Sequence, residues 1–220
     1  MKNNLDRLRN VPLFSLIDDD QFEQLKKSSI TNRYPKGNTI CNCDDRPDKF
    51  YFIDKGSVKV SITNDEGKEI ILAVLTEGEY FGEMALIDGQ PRSADVKTRE
   101  KTTLHIIFRE DFDRIFKENN KITASLLHKT TQRLREANKK IESLALMDVY
   151  QRIARVFDSI TVLKDGKRCI EERITHQDIA NMVGSSRERV CKILKILEQS
   201  NYISKINNII CINKKLPYNF

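Results

Sequence analysis

The chain has 220 residues, room for one large domain or two small ones, and its 39% hydrophobic and 32% charged residues are the balance of a globular protein with a real core. No apolar run approaches the roughly 20 residues needed to cross a membrane. The polar start Met1–Asp6 leads into no signal-type apolar segment, so a cytoplasmic protein is expected. Charge is uneven: residues 150–220 hold 13 Lys and Arg against 7 Asp and Glu, a net of +6 that equals the excess of the whole chain. The first 149 residues are therefore neutral, and the last third is where a polyanion such as DNA is expected to dock.

Residues 1–29 read as a polar start with short helices, Asp19 or Asp20 capping a turn through Phe22 and Leu25. From Ile30 the pattern changes to short apolar or alternating runs broken by turns. Ser57–Ile62 alternates at period two, Asn64-Asp65-Glu66-Gly67 turns, and Glu69–Val74 returns. Further strand signals are Ser93–Lys97 and Thr102–Ile107. Short strands at this spacing predict an antiparallel barrel or jelly roll.

Within that region lies Gly82-Glu83-Met84-Ala85-Leu86, followed by Gly89-Gln90-Pro91 and then Arg92-Ser93-Ala94. Gly82 permits a backbone that turns successive N–H groups toward an anion. Glu83 can accept from a sugar hydroxyl. Arg92 brings a permanent, forked charge suited to phosphate, and Ser93 a further donor. The stretch reads as a phosphate socket, with a surface loop carrying an incidental Arg as the plainer alternative.

A helix is predicted from about Lys121 to Leu146, capped by Asn119 or Asn120. Leu127, Thr130, Leu134, Ala137, Ile141 and Leu144 follow one another at spacings of 3 and 4, a heptad seam flanked by charge. Such a seam wants a partner helix, most simply its own copy in a two-fold homodimer; packing against its own barrel is the alternative. Asp148 marks a break, and a new helix spans Val149–Ile160. Leu163–Arg168 reads as a turn leading to strand-like Cys169–Ile174.

Thr175 then caps a helix with buried Ile179, Ala180 and Val183; Gly184 ends it; Ser185 or Ser186 caps a second helix with the stripe Val190, Ile193, Leu194 and Leu197. This is a helix-turn-helix. Arg187, Glu188, Arg189 and Lys192 stand where side chains reach major-groove base edges. Ser186, Arg189 and Lys195, with Thr175 and Gln177, are candidate phosphate contacts. Residues 201–212 read as a two-stranded wing turning at Asn207-Asn208.

Other chemistries lack a pattern. The cysteines, Cys41, Cys43, Cys169, Cys191 and Cys211, are odd in number and lack the paired spacings of a zinc or iron–sulphur site, so five reduced thiols and no metal are expected. His105, His128 and His176 are isolated, which argues against a haem ligand. No nucleophile–base pair is evident, so no enzyme is expected.

The socket residues closely resemble the phosphate-binding cassette of cyclic-nucleotide-binding domains, and nearly the whole chain resembles the bacterial catabolite activator (cyclic AMP receptor protein) family. That resemblance implies an α+β fold: an N-terminal antiparallel β-roll over 1–120, a dimerisation helix over 121–147 and a winged helix-turn-helix over 148–220. Gly82, Glu83, Arg92 and Ser93 match the family's ligand-binding residues, with Met84 and Ala85 inside the cassette; Val60, Leu72 and Ala73 match pocket-lining positions, and Arg133 matches on the helix. The Thr-Ser pair that contacts adenine in cyclic AMP-responsive members is Ala137-Asn138 here, so cyclic AMP is the first expectation and cyclic GMP or another nucleotide a rival. Ser186-Arg187-Glu188 match the head of the family's recognition helix, whereas Lys192 replaces a guanine-reading Arg and Arg189 a Thr. The implied partners are double-stranded DNA, a second copy of the chain and RNA polymerase. The implied switch is a ligand fixing the seam helices so that two recognition helices reach the spacing of one DNA turn, about 34 Å. A constitutive DNA binder with a vestigial cassette and a nucleotide-binding regulatory subunit acting on a protein remain as alternatives.

Overall fold

The computed structural model describes residues 9, 14–117, 119–164, 167–170, 174–206 and 209–217. They divide into two compact units, Met1–Arg135 and Glu136–Phe220.

In the first unit a short 3-10 turn (Phe14–Leu16) precedes α1 (Asp19–Ser28), whose cap lies one residue earlier than the sequence suggested: the Asp18 carboxylate accepts from the Gln21 N–H at 2.7 Å. Eight strands follow: β1 (Ile30–Tyr34), β2 (Thr39–Cys41), β3 (Lys49–Lys55), β4 (Val58–Thr63), β5 (Glu69–Leu75), β6 (Tyr80–Phe81), β7 (Asp95–Thr98) and β8 (Thr102–Phe108). A six-residue helix, α2 (Glu83–Asp88), interrupts them, and α3 (Arg109–Lys117) follows. The strands form two antiparallel sheets, ordered β1-β8-β3-β6 and β2-β7-β4-β5. Alternation along β3 and β8 sorts their side chains between two cores. Tyr51, Ile53, Leu104 and Ile106 join Val58, Leu75 and Val96 of the second sheet. Phe50, Phe52 and Ile107 instead pack with Phe22, Leu25, Phe112 and Ile115 of α1 and α3. This is the predicted roll; the short helix inside the cassette is new.

The long helix is α4 (Asn120–Leu146). The Asn119 side chain caps it, accepting from the Lys121 and Ile122 N–H groups at 3.1 and 3.3 Å. Ile122 and Leu126 enter the core of the first unit, so the helix carries a second apolar stripe beside the predicted seam. The seam residues Leu127, Leu134 and Ile141 are 67%, 60% and 64% exposed, which does not fit packing of that seam against the chain's own roll.

The second unit continues through α5 (Val149–Ile160), β9 (Thr161–Lys164), β10 (Lys167–Ile170), α6 (His176–Val183), α7 (Arg187–Gln199), β11 (Ile203–Ile206) and β12 (Ile209–Ile212). Asp148 closes a capping box with Gln151, so the predicted break is an N-cap. Of the turn expected at Leu163–Arg168, Leu163, Lys164, Lys167 and Arg168 belong to β9 and β10, which pair antiparallel, and residues 165 and 166 lie outside the described residues. The four strands form one antiparallel sheet, β11-β12-β10-β9. The wing turn at Asn207-Asn208 lies outside the described residues. The core combines Ile153 and Phe157 of α5, Ile179, Ala180 and Val183 of α6, and Val190, Leu194 and Leu197 of α7.

The expectation of five free thiols is corrected. Cys169 and Cys211, 42 residues apart, face each other in the β10–β12 register and form a disulfide with 4.0 Å between Cα atoms. Cys41, Cys43 and Cys191 are free. Among the described residues no helix is long and apolar enough to cross a membrane.

Candidate functional site

The cassette is built around Gly82. Its φ of 86° lies in the left-handed region, and a Cβ there would stand 2.6 Å from Arg92 Nη1 and 3.0 Å from the Lys49 carbonyl oxygen. Glycine is thus required twice, for conformation and for space. The loop after α2 returns Arg92 to this point, anchored by its own N–H donating to the Asp45 carbonyl at 3.0 Å. The Arg92 guanidinium donates to the carbonyls of Gly82 (2.7 Å) and Lys49 (2.5 Å) and lies 5.8 Å from the Tyr51 ring centre. It is only 4% exposed, and no carboxylate pairs with it among the described residues. A buried cation held only by carbonyl dipoles is an attractive seat for an anion.

Beside it, Glu83 is 2% exposed. One carboxylate oxygen accepts from Arg133 Nη1, which reaches in from α4; the other, Oε2, is buried with no hydrogen-bond partner among the described residues. Arg133 also donates to the Tyr80 carbonyl at 2.5 Å, with its guanidinium 5.3 Å from the Tyr80 ring centre. Burial, then the charge of Glu83, pushes the Tyr80 phenol up to about 12. One local assembly thus offers an anion seat and an acceptor that lacks a donor, the two features a sugar phosphate satisfies.

The remaining predicted pocket residues are less tightly gathered. Val60 and Ala73 are half-buried cross-strand partners of β4 and β5. Leu72 and Met84 are exposed, as is Ser93, while Ala85 is buried. Ala137 and Asn138 are exposed on α4, four and five residues beyond Arg133. Sequence reasoning missed two supports. Tyr80 supplies both a carbonyl and a ring to Arg133. Arg109 fixes α2 by donating to the Ala85 and Leu86 carbonyls at 3.2 and 3.3 Å and to the Pro47 carbonyl at 3.1 Å. The aromatic pair just before Gly82 was the one available signal for the first; nothing in the sequence marked the second.

In the other unit, Thr175 caps α6 with a reciprocal box to Asp178. Gly184 (φ 60°) ends α6, and Ser186 caps α7 by accepting from the Arg189 N–H at 3.2 Å. Gln177 donates to Asn181 at 2.8 Å. Arg187, Glu188, Arg189, Lys192 and Lys195 all stand exposed on α7. The α7 N-terminus lowers the Glu188 carboxyl below the ordinary glutamate range through a backbone N–H and the Ser186 hydroxyl.

Comparison with known proteins agrees with both halves. Residues 31–119 match the family model of the cyclic nucleotide-binding domain, and residues 151–215 match that of the Crp-like helix-turn-helix domain. The cAMP-activated global transcriptional regulator CRP of Escherichia coli O157:H7 is 35% identical over 177 residues, 79% of this chain and 84% of that protein. The cAMP-activated global transcriptional regulator Vfr of Pseudomonas aeruginosa is 33% identical over 178 residues, 78% of this chain and 83% of its own. The chain belongs to the CRP family. It is a cyclic-nucleotide-responsive, DNA-binding transcription regulator of that family. The c-di-GMP-responsive global regulator CLP of Xanthomonas campestris shares the CRP-family fold with a TM-score of 0.79, covering 90% of this chain and all of that one, at 24% identity.

Proposed function

We propose that the chain works as a homodimer in the cytoplasm, switched by a cyclic nucleotide and binding a two-fold symmetric operator through α7. The observation that carries this reading is the juxtaposition of a buried Arg92 and the buried Oε2 of Glu83, which among the described residues lack an acidic partner and a donor respectively. A cyclic nucleotide brings an anionic phosphodiester and a ribose 2′-hydroxyl, one group for each. In this role Arg92, Ser93 and the backbone after Gly82 hold the phosphate. Glu83 accepts the hydroxyl and is itself oriented by Arg133. Val60, Leu72, Ala73, Met84 and Ala85 shape the surroundings, and Ala137 and Asn138 read the base. Cyclic AMP is favoured because relatives one-third identical are cAMP-activated. Ala137 and Asn138 motivate a second reading, cyclic GMP: Ala137 has no polar side chain, and Asn138 supplies both a donor and an acceptor.

The exposed seam Leu127, Leu134 and Ile141 supports self-association, since three large apolar side chains at heptad spacing gain by burial against a second copy. On the DNA side, Arg187, Glu188 and Lys192 read base edges. Thr175, Gln177, Ser186, Arg189 and Lys195 contact phosphates, and RNA polymerase is the downstream partner. The test is calorimetry with cyclic AMP and cyclic GMP beside operator titrations by gel shift, with sedimentation to give the oligomeric state. A dimer whose operator affinity rises with one nucleotide is expected. A monomer, or equal affinity with and without either nucleotide, rejects the reading.

A further inference from the structure

The unit Glu136–Phe220 contains the last turns of α4, yet among the described residues no α4 side chain belongs to its hydrophobic core. The attachment of those turns is largely polar. Arg155 of α5 reaches Glu142 at 3.4 Å and the Lys139 carbonyl at 3.5 Å, and its side chain is 37% exposed. The more enclosed tie is Lys140, whose ammonium donates to the backbone carbonyl of Met182.

That carbonyl sits at a telling place. Helix α6 ends on Gly184 in the left-handed conformation, and both the Gly184 and Ser185 N–H groups turn back to the Ala180 carbonyl. The last carbonyls of a helix lack intrahelical partners and carry the negative end of its dipole. Lys140 fills one of them with a positive charge. Four residues after Met182 comes Ser186, the cap of α7. Lys140 therefore grips the helix-turn-helix at its turn, and it does so from α4 only two residues past Asn138. Burial pushes the Lys140 ammonium below the ordinary lysine value, with Arg152 adding to the shift, as befits a charge held inside the unit.

We infer that Lys140 is the positioning residue that makes the recognition helix follow α4, by clasping the Met182 carbonyl at the mouth of the helix-turn-helix turn. As a coupling device this rests on the nucleotide-switched reading above; as a clasp it does not. One polar contact outside the apolar core can hold or release without rebuilding that core, whereas a packed interface resists graded change.

The experiment compares wild type, Lys140→Met, which keeps the stem and loses the charge, and Lys140→Arg, which keeps a cationic donor. Hydrogen exchange of the Met182–Arg189 amides in the nucleotide-free full chain tests the clasp alone. Faster exchange is expected in Lys140→Met and near-wild-type exchange in Lys140→Arg; unchanged exchange in Lys140→Met overturns the clasp. Operator affinity by fluorescence anisotropy, with and without saturating cyclic AMP, tests the coupling. The ratio of the two affinities should fall about fivefold or more in Lys140→Met and largely return in Lys140→Arg, a typical size for coupling between sites. Cyclic AMP affinity of the free protein should stay within about twofold. An unchanged ratio, or equal loss in both variants with a fallen thermal midpoint, overturns the positioning role. A wild type that ignores cyclic AMP in the anisotropy assay counts against the nucleotide-switched reading instead, and the exchange result still decides the clasp.

Discussion

In the proposed reading the cassette and the head of α7 both present cations to a phosphate-bearing ligand, but they hold them in opposite ways. Arg92 is buried on two backbone carbonyls, and Glu83 is buried with one oxygen tied to Arg133 and one partnerless. Arg187, Arg189, Lys192 and Lys195 project from α7 into solvent, with only their helix capped. A prearranged buried site has already met the desolvation of its polar groups during folding, so a ligand that completes it gains strongly and selectively. A solvated row of charges selects little by itself and owes much of its affinity to released counterions. In the proposed reading the same residue type, arginine, is thus a buried seat in one unit and an exposed contact in the other.

The substitution that should break this contrast most sharply is Arg92→Ala. It removes the buried charge and its donor groups from the proposed phosphate seat, a loss of roughly 3 kcal/mol for charge-assisted bonds, or about a hundredfold in affinity. Calorimetry should show nucleotide binding nearly abolished, while nucleotide-free operator binding persists. Gly82→Ala comes next. Its Cβ would be driven to 2.6 Å from Arg92 Nη1 in a backbone conformation that alanine disfavours, so about 1–3 kcal/mol of strain is expected. Thermal-shift titration should show nucleotide stabilisation weakened by at least about tenfold in ligand concentration. A Gly82→Ala protein with wild-type nucleotide affinity would mean that Arg92 need not sit where it does.

The exposed face predicts milder, graded losses. Arg187→Ala should cost about 1–3 kcal/mol on the preferred operator and flatten preference at one base position. Arg189→Ala and Lys195→Ala should weaken binding to all sequences alike and each lower the salt slope by about one. Anisotropy titrations over a range of salt concentrations separate the two behaviours. If Arg187→Ala changes only the salt slope, the proposed base reader is a phosphate contact.

These two regions were both legible in the sequence, for different reasons. The cassette announced itself because its chemistry demands particular residues close together, Gly82 and Glu83 before Arg92. The helix-turn-helix did so because caps and a terminating glycine punctuate it, and the structure places Thr175, Gly184 and Ser186 in those roles. What stayed hidden depends on register and long-range return. Cys169 and Cys211 meet only because β10 and β12 pair residue for residue. The six-residue α2 is too short for a periodicity to establish. Arg133 was found through family resemblance, but its clamp on Glu83 and on the Tyr80 carbonyl needs 50 residues of chain to fold back. The α4 stripe of Ile122 and Leu126 was masked by the stronger heptad beside it, because one helix serves two faces.

The smallest expected effect concerns pH and separates the units by stability rather than by binding. In the first unit His105 is buried and stacked on Phe52, with Nδ1 2.9 Å from the Thr31 hydroxyl and Nε2 3.8 Å from Asp54. Burial lowers its basicity below the ordinary 6.5, and the Asp54 charge only partly opposes this. Below pH 6.5 the unfolded chain therefore takes up a proton that the folded chain resists. Stability contributed by neutral His105 is full above that pH and declines as pH falls toward the lowered folded value. His176 in the second unit shifts the same way, through desolvation and then the charges of Lys205 and Arg187. Thermal melts between pH 7.5 and 5, an experimental window chosen to straddle about 6.5, should therefore show both units softening on acidification. His105→Gln should flatten the slope of the first unit alone, and His176→Gln that of the second. A His105→Gln protein with the wild-type slope in both units would show that folded and unfolded chains take up the His105 proton equally, the Asp54 charge offsetting burial in full.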